Sequence, residues 1–292
     1  MRLLERDTPL AELRRLHEEA GRDGGRLVFV EGEAGIGKTS LLAAFRAGLP
    51  AGTTSLIGSC DPLSTPRPLG PFLDVADGLD PSLARLLDGG GTRAQTLRGL
   101  LDAVGRRPGL VLCLDDLHWA DEATLDALRF LGRRIATTRV LLVGTFRDDE
   151  VGPEHPLRAV VGDLATSPAV RRLPLTRLSQ ASVRELASGS GIDPADLHRQ
   201  TGGNPFFVTE VLAGAPATVP ATVRDAVLAR AARLSPVARR TLEAAAIIGP
   251  LVDPGLLIRV ADPVAADECL AGGLLVVRDD RYAFRHEAAR DA

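Results

Sequence analysis

Hydrophobic residues in this chain gather into short continuous runs separated by amphipathic stretches. Leu27-Val28-Phe29-Val30, Leu110-Val111-Leu112-Cys113-Leu114 and Val140-Leu141-Leu142-Val143 show no polar alternation, which is the pattern of strands covered on both faces. Ser40–Phe45 reads as the first turns of a helix, and Asp121–Arg134 as another. Strands alternating with helices predict an α/β fold on a right-handed parallel sheet, with ligands at the carboxyl ends of the strands.

The second half has a different pattern. Residues 176–218 read as short helices, and Gly214-Ala215-Pro216-Ala217 with Val219-Pro220 marks a linker. From Ala221 two apolar-periodic helices, a short acidic helix over Asp262–Ala271, and a hairpin of Gly273–Val277 with Tyr282–Phe284 predict a winged helix. The expected organisation is an α/β domain over 1–175, a helical lid over 176–218 and a winged-helix subdomain over 219–292. A Pro-rich stretch from Asp61 to Pro71 interrupts the first domain as an irregular insertion. Repeats of about 20–50 residues are absent.

Composition narrows the partners. With 45% hydrophobic and 25% charged residues the chain has the make-up of a soluble globular protein. No apolar run reaches the roughly 18 residues needed to span a bilayer, and Met1-Arg2-Leu3-Leu4-Glu5-Arg6-Asp7 is no signal peptide. A cytoplasmic location without membrane contact is expected. The formal charge of −3 argues against a broadly basic nucleic-acid surface. Cys60, Cys113 and Cys269 are too few and too scattered for a zinc site or disulfide framework, and Cys113 reads as a small core residue.

Candidate chemistry begins with the only lysine in the chain. Lys38 closes the run Gly32-Glu33-Ala34-Gly35-Ile36-Gly37-Lys38-Thr39-Ser40, a complete G-x-x-x-x-G-K-[ST] pattern between a predicted strand and a predicted helix. All the other basic side chains are arginines, a preference that also fits a GC-rich genome. A compact ammonium reaches between β- and γ-phosphates where a planar guanidinium is too wide. Backbone N–H groups of the loop and the positive end of the helix dipole would converge on the phosphates, and Thr39 would offer its hydroxyl to Mg²⁺.

The second apolar run ends in two carboxylates. Asp115 would hold Mg²⁺ through its water shell, and Asp116 would orient or polarise an attacking water; the plainer alternative is a strand ending at a polar turn. The third run leads to Arg147, on the same edge. Arg147 would sense or stabilise a γ-phosphate, or else answer Asp148, Asp149 and Glu150 at the surface. In Gly203-Asn204-Pro205, Asn204 reads as a helix cap and Pro205 as a first helical residue.

Three segments together carry a family resemblance: Asp115-Asp116-Leu117-His118-Trp119-Ala120-Asp121, Gly144-Thr145-Phe146-Arg147, and Thr201-Gly202-Gly203-Asn204-Pro205-Phe206-Phe207. The chain resembles, over nearly its whole length, the ATPase module of the STAND class. The likeness is greatest to large ATP-binding LuxR-type regulators, whose domain is often labelled an origin-recognition-like AAA ATPase. The opening Leu3-Leu4-Glu5-Arg6-Asp7 with Leu10-Ala11-Glu12-Leu13 is similar to the family's adenine-facing start, with Glu5 standing where glycine is common. The resemblance implies that Pro205, as part of a Gly-x-Pro element, packs on the nucleotide from a helical lid. Phe284-Arg285-His286-Glu287 resembles the Met-His-Asp element, which implies that His286 approaches the ADP β-phosphate; Arg285 and Glu287 replace its Met and Asp. By itself the histidine reads equally as a solvated or capping group at a helix start.

The resulting expectation is a P-loop NTPase that binds ATP or ADP with Mg²⁺ and hydrolyses ATP slowly as a switch, in the manner of a LuxR-type regulator. The alternative is an AAA+ initiator or loader acting on DNA; a metabolic kinase would need an acceptor site that the sequence does not display. Ten arginines against ten acidic residues from Ala221 to Ala292 leave the predicted winged helix formally neutral, so DNA contact is expected only through a domain outside this chain. The chain stops within a predicted helix, and related regulators continue into helical repeats and a LuxR-type DNA-binding domain, so a fragment or truncated member is expected. Self-association in the ATP form is a further expectation.

Overall fold

A computed structural model describes residues 3–63, 65–213, 221–285 and 289–290. The chain divides into two compact units, one of residues 1–33 and 38–175, the other of residues 34–37 and 176–292.

The first unit is built on five parallel strands: β1 (Arg26–Glu31), β2 (Ser55–Ser59), β3 (Val111–Asp115), β4 (Leu141–Phe146) and β5 (Val170–Pro174), in the order β2-β3-β4-β1-β5. The three predicted apolar runs are the three inner strands. All five residues of β3 and all six of β4 are buried, as a strand sandwiched between helices requires. β1 pairs with β4 on one side, with Phe29 opposite Gly144, and with β5 on the other, with Phe29 opposite Arg172.

Amphipathic helices cover the sheet. In the helix Asp7–Asp23, Leu10, Leu13, Leu16 and Ala20 are buried at helical spacing. The helix Glu122–Gly132 begins where the side chain of Asp121 accepts the N–H of Thr124, a cap that sets its first turn. Its end comes sooner than the apolar pattern suggests, with Arg133 as C-cap. The irregular stretch from Asp61 is likewise shorter than expected, because Gly70 and Pro71 open the helix Gly70–Leu79, proline being tolerated in a first turn. Gly144 marks a close approach: a Cβ there would lie 2.5 Å from Leu117 Cδ1, so the segment after β3 packs directly onto β4.

The second unit has the short helices Gln180–Leu186, Pro194–Thr201 and Pro205–Ala213, followed by helices Ala221–Ala231, Pro236–Ile248, Pro254–Val260 and Pro263–Ala271. A three-stranded antiparallel sheet of β6 (Leu251–Val252), β7 (Leu275–Arg278) and β8 (Arg281–Phe284) completes it, in the order β6-β8-β7. The β7–β8 hairpin turns on Asp279 and Asp280, both at positive φ (48° and 59°), the backbone of a tight two-residue connection. Val227, Leu242, Val252, Leu257, Cys269 and Phe284 share a core of their own. The expected linker at 214–220 and His286 lie outside the described residues. Among the described residues no helix is long and apolar enough to cross a membrane.

Candidate functional site

The loop between β1 and the helix Lys38–Ala47 carries the phosphate-binding pattern. Gly35 and Gly37 take φ of 78° and 98°, a region where a side chain is strained. Lys38 is the first residue of the helix and is only 7% exposed. Its Nζ donates to the Gly32 carbonyl at 2.6 Å and to the Glu33 carbonyl at 3.0 Å. The ammonium is thereby folded under the loop, on the side where the helix N-terminus points its unpaired N–H groups.

Residues 34–37 of this loop belong with the second unit. There Asn204 Nδ2 donates to the Ala34 carbonyl at 2.9 Å, and Phe206 N donates to the Gly35 carbonyl at 3.1 Å. A Cβ at Gly35 would lie 2.7 Å from Phe206 Cβ and 2.8 Å from Asn204 Oδ1. Asn204 is fully buried and its Oδ1 accepts the N–H of Phe206, so it caps the helix that Pro205 begins. The expected cap at Asn204-Pro205 is therefore present.

The acidic pair stands at the carboxyl end of β3. Asp115 is buried and its Oδ1 accepts the hydroxyl of Thr145 from β4. Asp116 leaves the strand in a left-handed conformation (φ 57°, ψ 45°) and its main-chain N–H donates to the same Thr145 Oγ1 at 2.9 Å. The Asp116 side chain is 28% exposed. Arg147, just past β4, pairs with Glu150 and lays its guanidinium over the Trp119 ring at 4.7 Å. Of its three expected acidic neighbours, Glu150 is the one it bonds.

This geometry matches a known type of domain. Residues 2–143 match the AAA ATPase domain family. Apart from 34–37, the matched residues lie within the α/β unit. No curated protein matches the chain. Among solved structures, a Walker-type ATPase of Pyrococcus abyssi superposes with a TM-score of 0.64 at 14% identity, covering 99% of this chain and 95% of that one. Cdc6p from Pyrobaculum aerophilum gives 0.53 at 15% identity, covering 99% and 92%. A STAND protein of Pyrococcus horikoshii with a tetratricopeptide repeat sensor gives 0.48 at 20% identity, and this chain spans 42% of its length. Likeness at such identities is likeness of fold.

Within the α/β unit the charged groups act on one another. Burial lowers the Lys38 pKa, and Arg147 lowers it further, while Asp149, Asp116 and Asp148 oppose them. Burial and the adjacent Asp115 raise the pKa of Asp116. A phosphate chain in the loop would add negative charge beside Lys38 and favour its charged form. The donor set of Thr39 hydroxyl and Asp115 carboxylate suits a hard cation such as Mg²⁺, which takes few protein ligands and completes its shell with water and phosphate.

Sequence reasoning passed over Thr145, His118 and Glu150 as site residues. Thr145 is completely buried at the end of an apolar strand, and a hydroxyl in that position is the one signal that could have singled it out. Glu5 takes a left-handed φ of 54°, a conformation that favours glycine. Leu10 and Leu13 of the same segment face the core.

Proposed function

We propose that this chain is an ATP-binding, slowly hydrolysing STAND-type switch, the regulatory ATPase module of a LuxR-type transcriptional regulator, working in the cytoplasm. The observation that carries the reading is the convergence of Lys38, Asp115, Asp116 and Arg147 at the carboxyl ends of adjoining parallel strands, close enough that Arg147 and Asp116 both perturb the lysine. Gly32, Glu33, Ala34, Gly35, Ile36, Gly37 and Ser40 would present main-chain N–H groups to phosphates, and Lys38 would bridge β- and γ-phosphoryl oxygens. Thr39 and Asp115 would hold Mg²⁺, which supplies charge neutralisation across those oxygens. Asp116 would orient water for attack. Its raised pKa is the direction that suits a group accepting a proton.

Switching needs contacts that differ between nucleotide states. The Asn204 and Phe206 bonds to the loop support a role for the Gly203-Asn204-Pro205 turn in reading it, with Pro205 beside the nucleotide. His286 is proposed from resemblance alone. In this reading the C-terminal helices and antiparallel sheet act as a winged-helix relay, the ATP form self-associates, and DNA is met through a domain outside this chain. The test is to identify the nucleotide retained by freshly purified protein and to titrate ATP and ADP into nucleotide-stripped protein with Mg²⁺. Tight retention of ADP with slow turnover is expected. Rapid turnover stimulated by duplex DNA would instead favour an initiator or loader.

A further inference from the structure

His118 is the middle residue of the single 3-10 turn Leu117–Trp119 that follows Asp116. Its side chain is completely buried, yet neither ring nitrogen has a hydrogen-bond partner. An unpaired buried polar group is destabilising, so a histidine in this position requires a reason. Each nitrogen faces a carboxylate: Nδ1 lies 3.8 Å from Asp116 Oδ1, and Nε2 lies 3.8 Å from Glu150 Oε2. Both separations exceed a hydrogen bond by roughly 1 Å, the kind of slack that catalytic contacts lose when a substrate complex forms.

The surroundings close a ring of contacts. The imidazole lies 4.4 Å from the Trp119 ring, Trp119 carries the Arg147 guanidinium, and Arg147 pairs with Glu150. Burial pushes the imidazole pKa down to about 3, so the ring is neutral and has a single N–H for two carboxylates. Glu150 already has a cationic partner in Arg147.

We propose that His118 is a positioning residue which donates its Nδ1–H to Asp116 and aims that carboxylate at the attacking water. The inference rests on the ATPase reading above and adds a support for its hydrolytic carboxylate. Trp119 packs against the imidazole and carries the Arg147 guanidinium on the same ring.

Three substitutions separate hydrogen bonding from space filling. His118→Asn keeps a donor near the Nδ1 position, His118→Gln places one near Nε2, and His118→Phe keeps a ring with no donor. In single-turnover ATP hydrolysis, His118→Phe and His118→Gln are expected to slow the chemical step about tenfold or more, with ATP affinity unchanged. His118→Asn should restore most of that loss. A rate for His118→Phe within about twofold of the parent, or a His118→Asn variant as slow as His118→Phe, overturns the proposal. An independent readout avoids turnover altogether. In protein labelled with ¹⁵N-histidine, the His118 ring should be the Nδ1–H tautomer, and Asp116→Asn should shift its Nδ1 resonance; an Nε2–H tautomer overturns the proposal even if a variant fails to fold. Failure of the parent protein to bind ATP would remove the ATPase reading itself, a result distinct from normal binding with unaffected His118 variants.

Discussion

The Thr145 hydroxyl, on β4, donates to the Asp115 carboxylate at the end of neighbouring β3, and both groups are buried. The same oxygen accepts the main-chain N–H of Asp116, so one side chain fixes the direction of both acids. Thr145→Val keeps the shape and removes both bonds. It should cost about 1–3 kcal/mol, the usual penalty for stranding buried polar partners, and lower Mg²⁺-dependent ATP turnover, while Thr145→Ser stays near the parent. Thermal denaturation and a turnover assay check this. A Val variant that melts with the parent would mean that Asp115 and the Asp116 N–H find other partners.

Lys38→Ala tests the phosphate loop. The ammonium bonds only carbonyls of its own loop at Gly32 and Glu33 among its hydrogen bonds, so its loss should spare the core and abolish ATP and ADP binding. Calorimetry with both nucleotides, beside a far-UV spectrum, provides the measurement. Retained affinity would place the nucleotide elsewhere.

What the sequence displays depends on where a residue's constraint comes from. The inner strands β1, β3 and β4 are covered on both faces and read as unbroken apolar runs. The outer strands β2 and β5 carry no such signal: β5 exposes Arg171 and Arg172 and ends in Pro174, a composition suited to an edge. Arg172 finds Glu31 only through the pairing of β5 with β1. The phosphate loop was legible because its chemistry demands fixed spacing along the chain. Thr145, His118 and Glu150 were not, because their bonds and contacts to Asp115, Asp116 and Arg147 cross from one strand end to another.

Asp116→Asn should bind ATP with Mg²⁺ at near-parental affinity and lose most hydrolysis. An amide retains the size and an acceptor oxygen but cannot take a proton from water, and the left-handed backbone at this position is tolerated by asparagine. Phosphate release under single-turnover conditions checks the split. Normal turnover would leave Asp116 a strand-end residue.

Duplex DNA should bind this chain weakly and without sequence preference. The ten arginines and ten acidic residues from Ala221 to Ala292 balance, and in the described part Arg281 and Arg278 share the hairpin with Asp279 and Asp280. Non-specific affinity needs unopposed cations that release counterions. Gel shifts at physiological salt are expected to show no sub-micromolar complex; a sequence-selective one would favour the initiator reading.

Acid should destabilise the fold through His118. Its pKa falls from 6.5 to about 3 on folding because burial disfavours the cation, so between those values the unfolded chain binds a proton that the folded chain does not. Stability therefore drops as pH falls through this window, by at most about 1.4 kcal/mol per pH unit. Asp116 has the opposite sign: its carboxyl is raised by burial, so its stabilising contribution is present at low pH and lost as pH rises through the folded value. The comparison that isolates the histidine is the parent against His118→Asn, by urea denaturation at about pH 7, 6 and 5. The gap between them should shift towards the variant as pH falls. Parallel pH dependences would mean that the imidazole titrates normally in the folded protein, and that His118 is not sealed between Asp116 and Glu150 in solution.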